Sequence, residues 1–117
     1  MVSLPDLDYP TALANMAGME ALYQEALQAF WEEAPSLMAE YQQQLAAARY
    51  AEARRAAHSL KSAAAVLGAM RLSQAARELE MLARDAVNDP QQLEPACQAC
   101  DQAWQAFTVI ARPYLPA

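Results

Sequence analysis

The stretch of sequence that decides the fold reads Ala57-His58-Ser59-Leu60-Lys61-Ser62-Ala63-Ala64-Ala65-Val66-Leu67-Gly68-Ala69. On a helix that turns by about 100° per residue, residues 49–67 have an apolar face formed by Ala53, Ala56, Leu60, Ala63, Ala64 and Leu67. Gly68 follows this face and can adopt the positive φ at which many helices end. We therefore predict an amphipathic helix from about residue 50 to residue 67.

The remaining segments are also predicted to be helical. The chain has only two glycines, and no window shows the period-two alternation of a half-buried strand. Pro10 begins a short helix over residues 9–16, capped by Asp8 or Tyr9, after an irregular lead over residues 1–8. Apolar residues at helical spacing predict longer helices over residues 19–48, 71–87 and 91–111. Pro35 either bends the first of these or divides it into two, and Val109 or Ile110 is available for burial in the last.

These helices can bury their apolar faces only against one another. Four substantial amphipathic helices joined by short connections close an antiparallel bundle. We therefore predict an all-α fold, an antiparallel four-helix bundle with a short additional N-terminal helix. In this prediction residues 1–117 form a single domain with a core over about residues 9–111, and a monomer is the default state.

His58 is the only histidine in the chain, and it lies on the polar side of its predicted helix. A lone histidine is usually a surface residue or a satisfied core residue, but the neighbours of this ring favour a chemical role. Lys61 lies close enough to neutralise an anion on the ring, and Ser62 leaves room for another protein's backbone. The same face also holds Arg54, Arg55 and Ala65. The two arginines would attract an acidic partner, and the small side chains of Ser62 and Ala65 flank the ring on the same face. Arg54, Arg55, Ser62 and Ala65 are therefore candidate partner-binding residues.

The net charge of −6 is unevenly distributed along the chain. Residues 49–84 hold seven of the eight cations against three acids, a balance of +4, whereas the rest of the chain has a balance of −10. Nucleic acid is disfavoured as a partner, because its long phosphate track requires a broad basic surface. The basic segment is better suited to a compact acidic pocket on another protein.

Cys97 and Cys100 form a C-x-x-C pair in the last predicted helix, and no second pair of ligands accompanies them. We therefore predict no metal site and no redox site, and we interpret the thiols as ordinary helix positions in a reducing cytosol. No basic segment precedes an apolar run, and no apolar stretch is long enough to span a bilayer. We expect a cytoplasmic chain without direct membrane contact.

The motif His58-Ser59-Leu60-Lys61-Ser62-Ala63, followed by Leu67-Gly68-Ala69 and Leu72, resembles the signature of histidine-containing phosphotransfer (HPt) domains. These domains usually show His-x-Leu-Lys-Gly-Ser or Ala, and then Leu-Gly-Ala a few residues later. The resemblance covers about residues 9–110. Ser62 departs from the glycine that is most common in the family. Because serine is small, we expect the ring to stay accessible, with slightly altered docking.

The resemblance implies a phosphorelay intermediate. His58 would accept a phosphoryl group from the aspartyl phosphate of a receiver domain and pass it to the aspartate of another receiver. The resemblance further implies Nε2 as the phosphorylated atom, and it suggests that Glu80 on the following helix orients the ring while Lys61 neutralises the phosphate. The receiver supplies Mg²⁺ and an acidic pocket, so we expect no cofactor in this chain. With two glycines it has no glycine-rich nucleotide loop, and we predict neither ATP binding nor kinase activity.

Two other functions remain as alternatives. One is a helical adapter that only binds other proteins, although the presence of both His58 and Lys61 argues against it. The other is a kinase-linked phosphoacceptor domain, whose histidine is charged directly by an ATP-bound kinase core. The segment over residues 4–23 resembles the start of HPt domains at the C-terminal end of hybrid sensor kinases. The sequence is therefore compatible with a free-standing protein and with the cytoplasmic domain of a membrane-bound hybrid kinase.

Overall fold

The computed structural model describes residues 4–116, and its regular secondary structure is entirely helical. The helices are α1 (Tyr9–Asn15), α2 (Glu20–Ala46), α3 (Tyr50–Val66), α4 (Met70–Arg84) and α5 (Pro90–Ala111), followed by a 3-10 turn at Arg112–Tyr114. Short turns join the four long helices, so that consecutive helices run antiparallel. The predicted all-α bundle with a short N-terminal helix is confirmed for these residues. Residues 1–3 of the predicted irregular lead lie outside the described part of the chain.

All four long helices contribute to one core. The largest side chains with almost no exposure are Tyr23, Leu27, Phe30, Tyr41, Leu60, Leu72, Cys100 and Phe107. The Tyr23 hydroxyl donates a hydrogen bond to the Leu67 carbonyl at 2.9 Å, and the Tyr41 hydroxyl donates to the Leu79 carbonyl at 2.8 Å. Burial raises the pKa of both phenols, that of Tyr23 to about 12, so both remain protonated donors. These two bonds tie α2 to the end of α3 and to α4.

α3 and α4 are the most closely packed pair of helices. Small side chains make this possible, because Ala53, Ala57 and Ala64 of α3 and Ala76 and Ala83 of α4 are at most 1% exposed. Ser73 on α4 adds a hydrogen bond from its hydroxyl to the Lys61 carbonyl at 3.0 Å. The short separation brings polar side chains at the edge of α3 within reach of side chains on α4.

α2 continues through Pro35 as one helix, so the alternative of two tandem helices is wrong. Proline lacks the N–H that would bond to the carbonyl four residues earlier, and this loss weakens the helix at that turn. Buried residues on both sides of the proline, Phe30 and Ala34 before it and Tyr41 after it, hold the helix in the core. Tertiary packing therefore outweighs the local cost of the proline.

The largest differences from the predicted helix ends are at the C-termini of α2 and α4; α2 ends at Ala46, two residues early. α4 stops at Arg84, three residues early, and Ala86 then adopts a φ of +52°. Ala17 and Ala48 take similar positive φ values after α1 and α2. Alanine rarely adopts this conformation, so an alanine in the sequence does not predict that a helix ends there.

In α5 the predicted burial of Val109 or Ile110 is wrong, since their side chains are 74% and 47% exposed. Within residues 4–116 no helix has both the length and the hydropathy that a membrane crossing requires.

The segment before α1 packs against the turn between α3 and α4. The Asp8 N–H donates to the Gly68 carbonyl at 2.8 Å, and the Arg71 N–H donates to the Pro5 carbonyl at 3.1 Å. Asp8 also caps α1, as predicted, because its carboxylate accepts the Thr11 N–H at 3.3 Å. Gly68, where the α3–α4 turn comes closest to the Asp8 backbone, has a φ of +80°. This contact fixes the end of α3 that follows the histidine motif.

Candidate functional site

His58 lies in the middle of α3 with its side chain 59% exposed. The opposite face of the helix is buried, since Ala56, Leu60, Ala64 and Leu67 are at most 4% exposed. The polar side of α3 is therefore where the periodicity places it. The ring is open to solvent and accessible to another protein.

Glu80 on α4 joins both predicted polar residues of α3. Its carboxylate lies 2.6 Å from His58 Nδ1 through one oxygen and 2.6 Å from Lys61 Nζ through the other. Only 13% of the Glu80 side chain is exposed, whereas Lys61 is 29% exposed. We call these three residues the His58 cluster. The structure thus brings together the residues that the sequence singled out as phosphoacceptor, phosphate-neutralising and ring-orienting groups.

The charge state of Glu80 decides which ring nitrogen is protonated. Burial alone would raise the pKa of Glu80, but the hydrogen bonds and positive charges of Lys61 and His58 outweigh it and hold the pKa below its ordinary value. An ionised carboxylate can only accept hydrogen bonds, so Nδ1 must be the donor in the contact with Glu80. In the neutral ring Nε2 then has no proton. Its lone pair is the nucleophile that the exposed side of the ring can offer.

The Lys61 ammonium group donates a hydrogen bond to the Glu80 carboxylate at 2.6 Å. An ammonium group has three N–H donors, and the bond to Glu80 uses one of them. The remaining donors leave Lys61 able to bind a phosphoryl oxygen next to the ring. Glu80 therefore holds the imidazole of His58 and the ammonium group of Lys61 next to each other.

The predicted partner-binding residues differ in their surroundings. Arg54 is exposed one helical turn before His58, where it borders an open groove. Arg55 is 72% exposed, but its guanidinium pairs with Glu52 on its own helix at 3.0 Å. Ser62 is exposed and Ala65 is half-buried. All four lie on the polar side of α3.

The groove beside the His58 cluster contains residues that the sequence analysis missed. It has a volume of about 400 Å³, and Arg54, Arg77, Met81 and Arg84 line it together with the cluster. We call it the His58 groove. Arg77 and Arg84 lie three residues before and four residues after Glu80, so they share its side of α4. Met81 lies four residues after Arg77 and three before Arg84, which places it beside them. That spacing is visible in the sequence, but it becomes informative only once α4 is known to lie beside His58.

The two cysteines lie away from these residues, on α5. Both are free thiols, and Cys100 is 1% exposed. Burial raises the pKa of Cys97 and that of Cys100, the latter to about 12, and the nearby Asp101 acts in the same direction. Both thiols therefore stay protonated at neutral pH, whereas the thiolate is the form that acts as nucleophile or metal ligand. Within residues 4–116 no three histidine, cysteine or acidic side chains are grouped closely enough to hold a metal ion.

Comparison with known protein families assigns the chain to one of them. The sequence model of the Hpt domain matches residues 25–108, which include most of α2, all of α3 and α4, and most of α5. Searches among curated proteins and among solved structures find no significant match. The matched segment contains the whole His58 cluster and the bundle that holds it. The chain therefore belongs to the Hpt domain family, the histidine-containing phosphotransfer modules of two-component phosphorelays.

Proposed function

We propose that His58 is the phosphoacceptor of a phosphorelay, charged by the aspartyl phosphate of one receiver domain and discharged to the aspartate of another. The observation that supports this most directly is the contact of His58 Nδ1 with Glu80 at 2.6 Å on a ring that is 59% exposed. In a neutral ring this contact leaves Nε2 without a proton, and a free lone pair is what a nucleophilic imidazole requires. Partner, donor and direction are part of this proposal.

The transfer step requires few groups from this chain. The Nε2 lone pair attacks the phosphorus atom, the N–P bond forms, and the bond from phosphorus to the aspartate oxygen breaks. The receiver recovers its carboxylate, and Nδ1–H stays on Glu80. We propose that the receiver supplies Mg²⁺ and that this chain needs no cofactor. Its two glycines, Gly18 and Gly68, lie in turns between helices, which supports a function without a phosphate-cradling nucleotide loop.

The decisive experiment compares phosphoryl donors. The chain is incubated with a panel of radiolabelled receiver domains, including one from a hybrid sensor kinase. In a separate reaction it is incubated with a histidine-kinase core and ATP. We expect acid-labile, base-stable label on the chain within minutes from at least one receiver, and much slower labelling from the kinase core. Labelling by the kinase core alone would favour the kinase-linked acceptor. Binding of a receiver without any labelling would favour the adapter.

Lys61→Ala should slow receiver-dependent phosphorylation about tenfold and shorten the lifetime of the phosphohistidine. A phosphoryl group on Nε2 adds about two negative charges beside the ring. The ammonium group of Lys61, one helical turn along α3 and bonded to Glu80, is the cation that can bind it. A hydrogen bond to a charged group is worth about 1.5–3 kcal/mol, which corresponds to roughly a factor of ten or more. Lys61→Arg is the matched control and should recover part of the rate, because it restores the charge. Equal rates in all three proteins would contradict this role.

Glu80→Ala should reduce the rate of phosphoryl transfer from the receiver to His58 about tenfold. Glu80→Gln should reduce this rate less, because the amide oxygen can still accept a hydrogen bond from Nδ1–H. Parental transfer rates in both variants would exclude an orienting role.

Glu80 also contributes to the stability of the fold. Its pKa is lower in the folded state than in the unfolded state, so its contribution is complete above the ordinary range of a glutamate pKa and disappears as the pH falls through the folded value. Chemical denaturation from neutral to acidic pH should therefore show a steeper loss of stability in the wild type than in Glu80→Gln.

A further inference from the structure

The His58 groove is lined by cations from two different helices. Arg54 and Lys61 belong to α3, whereas Arg77 and Arg84 belong to α4. Among the described residues that line it, Glu80 is the one carboxylate. The surface around the ring is therefore positive, although the chain as a whole has a net charge of −6.

The antiparallel arrangement places these cations on both sides of the ring. His58 is level with Glu80, since their side chains meet at 2.6 Å. One helical turn away in each direction, Arg54 is level with Arg84 and Lys61 is level with Arg77. The ring thus lies between two pairs of positive side chains, and each pair has one member on each helix.

These cations differ in how far their charge is already neutralised. Lys61 is bonded to Glu80 at 2.6 Å, and Arg84 pairs with the adjacent Asp85 at 3.0 Å. Arg54 and Arg77 are both exposed, and neither forms an ion pair with any residue between 4 and 116. Arg54 and Arg77 are therefore the two guanidinium groups of the groove that are available to another molecule, one at each end.

We propose that Arg54 and Arg77 form the recognition surface for the acidic face of a receiver domain around its phosphoaspartate. This rests on the proposed function, and it assigns the partner surface to both α3 and α4 rather than to α3 alone. Two separated guanidinium groups accelerate the approach of a carboxylate-rich surface and fix its position over the ring. Met81, 37% exposed in the same groove, gives the contact an apolar centre within a charged rim.

The shape and surroundings of the groove favour an acidic protein over a nucleic acid. The groove is short, because its cations span about two turns of each helix, roughly 11 Å. The residues outside 49–84 have a balance of −10 and would repel a long polyanion. A compact acidic pocket can engage both arginines without meeting that negative surface.

The test is charge reversal at each arginine, using the receiver that labels the wild type fastest. For Arg54→Glu and Arg77→Glu we expect the second-order rate of transfer to fall about five- to tenfold at about 0.1 M salt. At about 1 M salt, where charges are screened within about 3 Å, the difference should shrink to less than about twofold. Arg49→Glu is the matched control. It makes the same change of charge on an exposed residue about 13 Å from His58 along α3 and should transfer at the wild-type rate.

Each rate is divided by the rate at which phosphoramidate, a small donor, labels the same variant, so that changes at the ring itself are removed. Equal normalised rates for Arg77→Glu and Arg49→Glu at low salt would overturn the assignment to α4. A loss that persists unchanged at about 1 M salt would also overturn it, because it would show a structural effect instead of an electrostatic one. If phosphoramidate labels His58 but no receiver does, the proposed function fails along with the recognition surface.

Discussion

His58→Gln should take up no acid-labile phosphoryl label from any receiver, a loss of at least about a thousandfold relative to the wild type. The chain has one histidine, so no other imidazole can replace it. A glutamine amide nitrogen has its lone pair delocalised into the carbonyl and is not a nucleophile at neutral pH. The amide can still donate a hydrogen bond to Glu80, so the link between α3 and α4 is kept.

The same variant should fold as well as the wild type. The ring is 59% exposed, and substitutions at exposed positions usually change stability by no more than about 0.5 kcal/mol. The stability of the label provides a further check, because phosphohistidine is labile in acid and stable in base, whereas an acyl phosphate on a carboxylate is labile in base. Acid-labile, base-stable label on His58→Gln would contradict the assignment of the acceptor. Base-labile label would place the phosphoryl group on an acidic residue instead.

The helical periodicity was sufficient to predict the bundle and the exposed side of α3. Apolar spacing alone places Leu60 and Ala64 in the core and His58 outside it, and burial in the structure follows this pattern. The periodicity could not predict the ends of α2 and α4, because Ala48 and Ala86 adopt positive φ values that carry no signal in alanine. It also failed for Val109, an apolar residue on an exposed side of α5.

The site could be predicted only in part, for a geometric reason. Lys61 is one helical turn from His58, so its proximity follows from the sequence of a single helix. Glu80 was identified through the resemblance to HPt domains, since nothing in the sequence of α4 alone sets its position relative to α3. Arg77 was missed because it lines the groove only in the antiparallel register that makes Glu80 level with His58. That register depends on the packing of small residues between the helices.

Gly68→Ala should destabilise the fold by about 3 kcal/mol or more, whereas Gly18→Ala should cost only about 1 kcal/mol. Both glycines have a positive φ, +80° and +75°, a conformation that costs an alanine roughly 1–2 kcal/mol and is partly offset by the reduced freedom of the unfolded chain. They differ in the space around them. A Cβ at Gly18 would meet nothing within 4 Å, whereas a Cβ at Gly68 would lie 2.5 Å from the Asp8 carbonyl oxygen.

The Gly68 clash cannot be relieved by rotating a side chain, because the two nearest atoms belong to the Asp8 backbone and the third is the Cβ of Ala12. The Asp8 N–H also donates to the Gly68 carbonyl at 2.8 Å, so moving Asp8 away from the new methyl group would break the bond that holds the N-terminal segment in place. Denaturant unfolding of both variants followed by circular dichroism measures the difference directly. Because the two substitutions are chemically identical, equal losses of stability would mean that the backbone conformation alone is responsible and that the close contact with Asp8 contributes nothing. A larger loss for Gly68→Ala would show that the glycine of the Leu67-Gly68-Ala69 motif is required where the N-terminal segment crosses the α3–α4 turn.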